Sequence, residues 1–420
     1  MLVIVWIAMK HHSLLLMGVL FCAAPVVRVR GDALDDEILK HRTGVLAVRT
    51  APGAVVTVEQ LRHEFWFGAT IPTGVFNGRV RPEDAAKWKE VFLSHFNAGV
   101  IEGAFKWHEM EKERGKVDYS VVDQMLEWAS SHGIPVRGHC IFWGIPRYVP
   151  EWLKPLGDEP LRLAVRQRAR SIAARYRGQF AEYDLNNEMI HGNWFEQRLG
   201  AEITREMARW VKEGDPDAVL FFNDYDILTG RRLDDYIKHI RDVLSSGAPM
   251  DGVGVQGHLH GDSFDEGELR RALDALGGLK LPVRITEFNF PGQRSKYYQQ
   301  REAQLSGEEE AAKADALRRY FRIAFAHPAV TGILMWGFWE GANWIPQSSL
   351  YKRDWTPAPA AEAYRRLVFG QWWTRAEVKA DADGIAVVRA FFGTHKVRAG
   401  GKEAVITLSR REGAKLADLQ

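Results

Sequence analysis

Two glutamates each close a β-rich run of the chain, Tyr183-Asp184-Leu185-Asn186-Asn187-Glu188 and Arg284-Ile285-Thr286-Glu287-Phe288-Asn289. A pair of carboxyls cleaves a glycosidic bond when one is protonated, to donate to the leaving oxygen, and the other is ionised, to attack the anomeric carbon. At a separation of about 5–5.5 Å such a pair works by double displacement with retention of configuration. In that division of labour Glu188 is the candidate general acid/base and Glu287 the candidate nucleophile, and their neighbours must push the two pKa values apart. Asn187, beside Glu188, is placed to hydrogen-bond a sugar 2-hydroxyl, a contact that strengthens as positive charge develops on the ring.

Other apolar runs end in polar groups as well. Gly138-His139-Cys140 leads to Phe142-Trp143, and Gln256-Gly257-His258 closes another run. With carboxylates converging on the same mouth, His139 is expected to meet substrate hydroxyls and His258 to hydrogen-bond Glu287. The trio His258, His260 and Asp262 matches no standard ligand spacing, so no metal site is expected. Trp336-Gly337-Phe338-Trp339-Glu340 and then Asn343-Trp344 cluster aromatics where a flat ring would cover the apolar face of a sugar. The chain carries 15 Trp, more than core packing usually requires.

Positioning such residues demands a scaffold whose strand ends converge. Short β-rich runs are expected at 64–69, 98–102, 136–142, 181–187, 219–223, 252–258, 283–288 and 332–337, with amphipathic stretches between them. Eight βα repeats predict a closed (β/α)8 TIM barrel, with its site at the C-terminal ends of the strands. Helices are expected from Ser120, with a capping-box-like start at Ser120 and Asp123, to a stop at Gly133, and then at 161–176, 203–213, 232–245, 268–275, 309–326 and 360–368. The arginines of 161–177 (Arg162, Arg166, Arg168, Arg170, Arg175 and Arg177) are expected on a solvated outer face.

Outside the barrel, 45–48 and 54–58 are expected to form a hairpin around Pro52-Gly53, with further strands at 385–392 and 404–408. The expected organisation is thus a signal peptide at 1–24, an N-terminal β segment at 33–62, a catalytic barrel at 63–370 and a C-terminal β segment at 371–420. The two terminal segments make a small accessory β module. The signal rests on Lys10-His11-His12 followed by an apolar run from Leu14 to Phe21, too short to span a bilayer, and it predicts a secreted protein, periplasmic or extracellular. Cys22 and Cys140 alone make no disulfide framework.

Taken together these residues resemble glycoside hydrolase family 10, the endo-β-1,4-xylanase family, and its plant-type branch in particular. The resemblance covers about 65–370. It rests on Phe105-Lys106-Trp107, Arg137-Gly138-His139 through Trp143, Tyr183 through Glu188 to His191-Gly192, Asn223-Asp224-Tyr225, Gln256-Gly257-His258, Ile285-Thr286-Glu287 and Trp336-Gly337. It implies cleavage of xylan by Glu188 and Glu287, without a cofactor. It further implies that Glu102, Lys106, His139, Trp143, Asn187, Gln256, His258, Trp336 and Trp344 bind substrate or position the carboxylates. Three positions depart from the family pattern: Gly103 stands where an Asn is usual, Trp143-Gly144-Ile145-Pro146 replaces Trp-His-x-Gln, and Asn289 replaces an Asp.

With 56 basic and 54 acidic residues and a formal net charge of +2, no global charge points to nucleic acid or, once the signal is removed, to a membrane. The expected partner is a polysaccharide, xylan or a similar β-glycan, and the oligomeric state is open. Two rival functions stand beside this one. The first is a related β-glycosidase acting on arabinoxylan side chains or mixed-linkage glucan; the second is a non-catalytic carbohydrate-binding protein.

Overall fold

The computed structural model describes residues 32–259 and 264–420. Eight parallel strands close into a barrel: β1 (Trp66–Ile71), β2 (Ala98–Ile101), β3 (Val136–Gly138), β4 (Glu182–Asn187), β5 (Leu220–Asn223), β6 (Gly252–Val255), β7 (Val283–Phe288) and β8 (Val330–Met335). Closure comes from pairing of β8 with β1, at Gly332↔Trp66, and of β3 with β4, at Arg137↔Glu182. The third strand is shorter than the expected 136–142; a separate two-residue strand, Phe142–Trp143, rejoins β4 further up. This is the (β/α)8 barrel that the alternating pattern predicts.

The barrel interior is ionic where an all-aliphatic filling would be ordinary. Arg137 and Arg284 lie inside with Glu182 and Asp184; Arg284 donates to Glu182 at 2.9 and 3.1 Å, and Arg137 Nε donates to Asp184 Oδ2 at 3.1 Å. Glycines on neighbouring strands leave the space, since a Cβ on Gly254 would stand 2.7 Å from the Arg137 guanidinium and one on Gly332 would strike that of Arg284. Buried charges need such pairing, because removing one partner strands the other in low dielectric.

Helices pack around this barrel with their apolar faces inward. The structure has Ser120–Ser131, Asp158–Arg175, Ile203–Gly214, Leu233–Ser245, Glu266–Gly277, Gly307–Ala326 and Pro359–Arg365 near the expected places. Helix Pro82–His95, between β1 and β2, was not expected, although Pro82 at its first turn followed by Glu83 and Asp84 is a legible start signal. The start at Ser120 is built differently from the capping box: Asp118 accepts the Ser120 amide and hydroxyl at 2.9 and 2.6 Å, while Asp123 binds the Tyr176 hydroxyl and Arg175. Gly133, at φ +63°, ends that helix.

In helix Asp158–Arg175 most arginines pair outward with acids of the neighbouring helix, Arg162 with Glu206 and Arg170 with Glu213. Arg168 is the exception. It is buried, donates to the Phe105 carbonyl at 3.0 Å, and is pushed down to about 10 by burial.

The expected hairpin does not form. Strand Thr43–Arg49 lies between Ile385–Phe391 and Ala414–Asp418, whereas Val55–His63 lies in a second sheet between Arg375–Lys379 and Gly393–Ala399, with Lys402–Leu408 beyond. The Pro52-Gly53 turn carries the chain from one sheet to the other. Each strand has one apolar face, and facing the sheets buries Leu46 and Val48 against Val56, Val58, Val388 and Val397 in one core. The module lies under the barrel: Arg42 donates to the carbonyls of His327 and Val330 at 2.6 and 2.8 Å, and Glu64 accepts the Arg410 amide. Residues 1–31 and 260–263 lie outside the described residues, and with them the expected signal peptide, Cys22, His260 and Asp262.

Candidate active site

The two glutamates stand at the C-terminal ends of β4 and β7, both buried. Glu188 follows the last residue of β4 with φ +59°, a left-handed conformation uncommon for a side chain with a Cβ, and its amide donates to the Asn223 carbonyl at 2.9 Å. Its two oxygens accept from different elements: Gln256 Nε2 donates to Oε1 and Trp143 Nε1 to Oε2, each at 2.9 Å. Glu287 is held from two sides, by His258 Nε2 at 3.0 Å and by Asn223 Nδ2 at 3.1 Å.

These surroundings push the two carboxyls apart. Burial raises Glu188 above the ordinary glutamate range, and the charges of Asp224 and Glu287 add to that, against the lowering effect of the Gln256 and Trp143 donors. Burial acts on Glu287 in the same sense, but the hydrogen bond from His258 and the charges of His139 and His258 outweigh it, leaving Glu287 below the ordinary range. The two shifts are opposed, so there is a range of pH in which Glu188 is protonated while Glu287 is ionised.

Below them lies a polar floor. Asn223, which in the sequence stands out only as part of Asn223-Asp224-Tyr225, is the hub: it donates to Asn187 Oδ1 at 2.9 Å and to Glu287, and it accepts from the Thr286 hydroxyl at 2.7 Å. Asn187 Nδ2 is buried and has no partner among the described residues. His139 Nδ1 lies 2.8 Å from Asp184 Oδ2, which ties the site to the ionic barrel interior, and its ring meets Trp336 edge-on at 5.2 Å. Asp184 escaped sequence reasoning because an inward-facing strand acid resembles any buried ion pair.

The walls are aromatic. Trp143 stacks on Tyr148 with centroids 3.6 Å apart, and the Lys106 ammonium lies 4.7 Å over its ring. Trp336 and Trp344 flank His258, at 6.4 and 5.1 Å. Trp339 does not belong with them: it stacks on Trp355 at 4.5 Å and 5° and is part of the core. Gly337, at φ +103°, makes this turn possible, since a Cβ there would lie 2.5 Å from the Asn343 side chain. A groove of about 980 Å³ is lined by Tyr148 and Trp344 of these aromatic residues, together with Glu102, Gly103 and Lys106.

The three departures have structural settings. Gly144 packs against the loop that follows Glu188, where a Cβ would come 2.7 Å from the Gly192 carbonyl, so no larger residue fits. Gly103 is open, with only the Thr73 hydroxyl near, 3.2 Å from a built Cβ. Asn289 accepts from His258 Nδ1 and from Trp344 Nε1 (3.3 Å), and donates to the Trp336 carbonyl and the Ser348 hydroxyl at 3.2 and 3.1 Å.

Residues 59–367 match the family model described as glycosyl hydrolase family 10. The chain is 36% identical over 367 residues to anti-sigma-I factor RsgI6 of Acetivibrio thermocellus, an alignment covering 86% of this chain and 45% of that protein. It is 35% identical to endo-1,4-beta-xylanase 1 of Arabidopsis thaliana, over 82% of this chain and 34% of that one. The chain thus spans less than half the length of either relative. Among solved structures, native xylanase 10B from Thermotoga maritima superposes with a TM-score of 0.65 at 24% identity, over 73% of this chain and 96% of that one. With its eight-stranded barrel and this match over most of its length, the chain belongs to glycosyl hydrolase family 10.

Proposed function

We propose that this protein is a retaining endo-β-1,4-xylanase acting on xylan-type polysaccharide. The observation that carries the reading is the placement of Glu188 and Glu287, both buried, at the ends of β4 and β7, with Asn223 joining Asn187 to Glu287; surroundings that push the two carboxyls in opposite directions agree with it. Family membership and the xylanase names of the Arabidopsis relatives support it. In the first step ionised Glu287 attacks the anomeric carbon while Glu188 gives its proton to the departing glycosidic oxygen. In the second, Glu188, now a carboxylate, takes a proton from water, whose oxygen displaces Glu287 and frees the sugar with its original configuration. Asn187 donates to the 2-hydroxyl, His139 meets ring hydroxyls, and Gln256, Trp143 and His258 hold the carboxylates. Glu102, Lys106, Trp336 and Trp344 line the path of the chain.

Secretion through the apolar run at 14–21 is part of the proposal. The decisive experiment is a reducing-sugar assay on xylan with wild type, Glu188→Gln and Glu287→Gln. Turnover by wild type and its loss by orders of magnitude in each variant is the expected result. Near-normal hydrolysis by either variant would overturn the assignment. Release from mixed-linkage glucan in preference to xylan would move the substrate, and binding without release would favour a carbohydrate-binding protein.

A further inference from the structure

We propose that the groove formed by the loops after β1, β2, β7 and β8 is a subsite for a uronic acid branch, so that the preferred substrate is an acidic, uronate-decorated xylan. The inference rests on the xylanase reading above and names the substrate class of the same cleft. Arg79, Arg301 and Arg353 come from the loops after β1, β7 and β8 and line one groove with Gly103, which follows β2. In barrel order these four strands are contiguous, and β8 lies opposite β4, the strand that carries Glu188. A branch on the part of the chain bound before the scissile bond would project toward these loops.

Three observations converge there. First, among the described residues none of the three guanidinium groups has a carboxylate within the 4.0 Å of an ion pair. Second, the acids of the same groove are largely engaged: Glu109 with Lys112 at 3.5 Å, Glu340 with Lys352 at 3.3 Å, and Asp118 with Ser120. Among the described residues Glu302 alone is an exposed groove carboxylate without a partner, and burial pushes Glu102 toward its neutral form. Third, the backbone of the loops that carry these exposed arginines is anchored at the groove. Val80 donates to the Gly74 carbonyl at 3.0 Å, the Arg353 amide donates to Glu340 at 3.0 Å, and Gln347 Nε2 grips the Arg301 carbonyl at 2.8 Å.

Gly103 supplies the space. A side chain there would project into the groove, and its absence leaves room for a substituent. Guanidinium forks match a carboxylate geometrically and bind it in bidentate fashion. A neutral xylan offers these groups only hydroxyls, whereas a uronate offers the charge they lack.

The test compares a glucuronic-acid-decorated xylo-oligosaccharide with an undecorated one of equal backbone length. Dissociation constants are measured by calorimetry on full-length Glu287→Gln, so that turnover does not intervene, and kcat/KM on wild type. Three partly exposed ion pairs of ordinary strength make the decorated ligand bind about 10-fold tighter at low salt. Added salt shrinks the difference by screening. The triple variant Arg79→Gln/Arg301→Gln/Arg353→Gln is expected to abolish the preference while leaving kcat/KM on the undecorated substrate unchanged; the single variants Arg79→Gln and Arg353→Gln give partial losses if the triple one is unstable. Equal binding of the two ligands by the Glu287→Gln protein, or a preference that survives all three changes, overturns the inference. Failure of wild type to cleave either ligand overturns the xylanase reading instead, and the binding comparison still decides the subsite.

Discussion

Asn223 donates its side-chain amide to Asn187 Oδ1 at 2.9 Å, and the Nδ2 of Asn187 is left a buried donor without a partner among the described residues. A buried unpaired donor costs about 1–3 kcal/mol, so the fold retains it at a price that a ligand oxygen repays. If that oxygen is the sugar 2-hydroxyl, the bond is strongest in the transition state. Asn187→Ala should therefore lower kcat by about 100-fold or more with a smaller change in KM. A 2-deoxy substrate should reduce the wild-type rate similarly and lose nothing further in the variant; additive losses would show that Asn187 acts elsewhere.

The opposed displacement of the two carboxyls sets the pH profile. For the proposed glycosidase, activity is expected to appear as pH rises through the lowered value of Glu287 and to disappear as it rises through the raised value of Glu188, giving a bell. Trp143 donates to Glu188 and so favours its ionised form. Trp143→Phe removes that donor, raises Glu188 further, and should carry the alkaline limb of kcat/KM to higher pH while leaving the acid limb in place. Movement of the limb to lower pH would contradict the assignment of Glu188 as the acid.

Asn289 uses every donor and acceptor of its amide, on His258, Trp344, the Trp336 carbonyl and Ser348. Asn289→Asp would set a carboxylate beside His258, favour the imidazolium over the neutral ring, and through it favour ionised Glu287. The acid limb should then move to lower pH. The same change turns the donor facing the Trp336 carbonyl into a lone pair, with an expected loss of about 1–3 kcal/mol in stability by chemical denaturation. An unchanged pH profile would mean that His258 does not transmit charge from position 289.

Gly144 and Gly192 bring two active-site loops into contact, and Trp194 donates its amide to the Gly144 carbonyl at 3.0 Å. Gly144→Ala drives a methyl to within 2.7 Å of the Gly192 carbonyl, so the loop carrying Glu188 must shift. The expected result is destabilisation of about 1–3 kcal/mol together with a fall in kcat. Wild-type stability and rate in this variant would show the contact to be loose.

Much of this was legible in the residues themselves. The alternation of β-rich and amphipathic stretches predicts the barrel because every strand must bury both faces and every helix one. The strand ends bearing Glu188, His258 and Glu287 suggest the proposed chemistry by their residue types. Trp339 looked equal to Trp336 and Trp344 in the sequence, and nothing local distinguishes an indole that stacks on Trp355 from one that faces the cleft. The Pro52-Gly53 turn likewise permits a hairpin, but strands some 330 residues further along compete for the same edges and win, because facing two sheets buries more apolar surface.

By itself the sequence determined the repeating βα pattern and the identity of the paired carboxylates, since periodicity and side-chain chemistry are local properties. Only the tertiary structure decided which groups converge: Asn223 between Asn187 and Glu287, Asp184 behind His139, and three arginines from separate loops around Gly103. Such meetings depend on closure of the barrel, which brings residues far apart in the chain within hydrogen-bonding distance, and no local pattern encodes that distance.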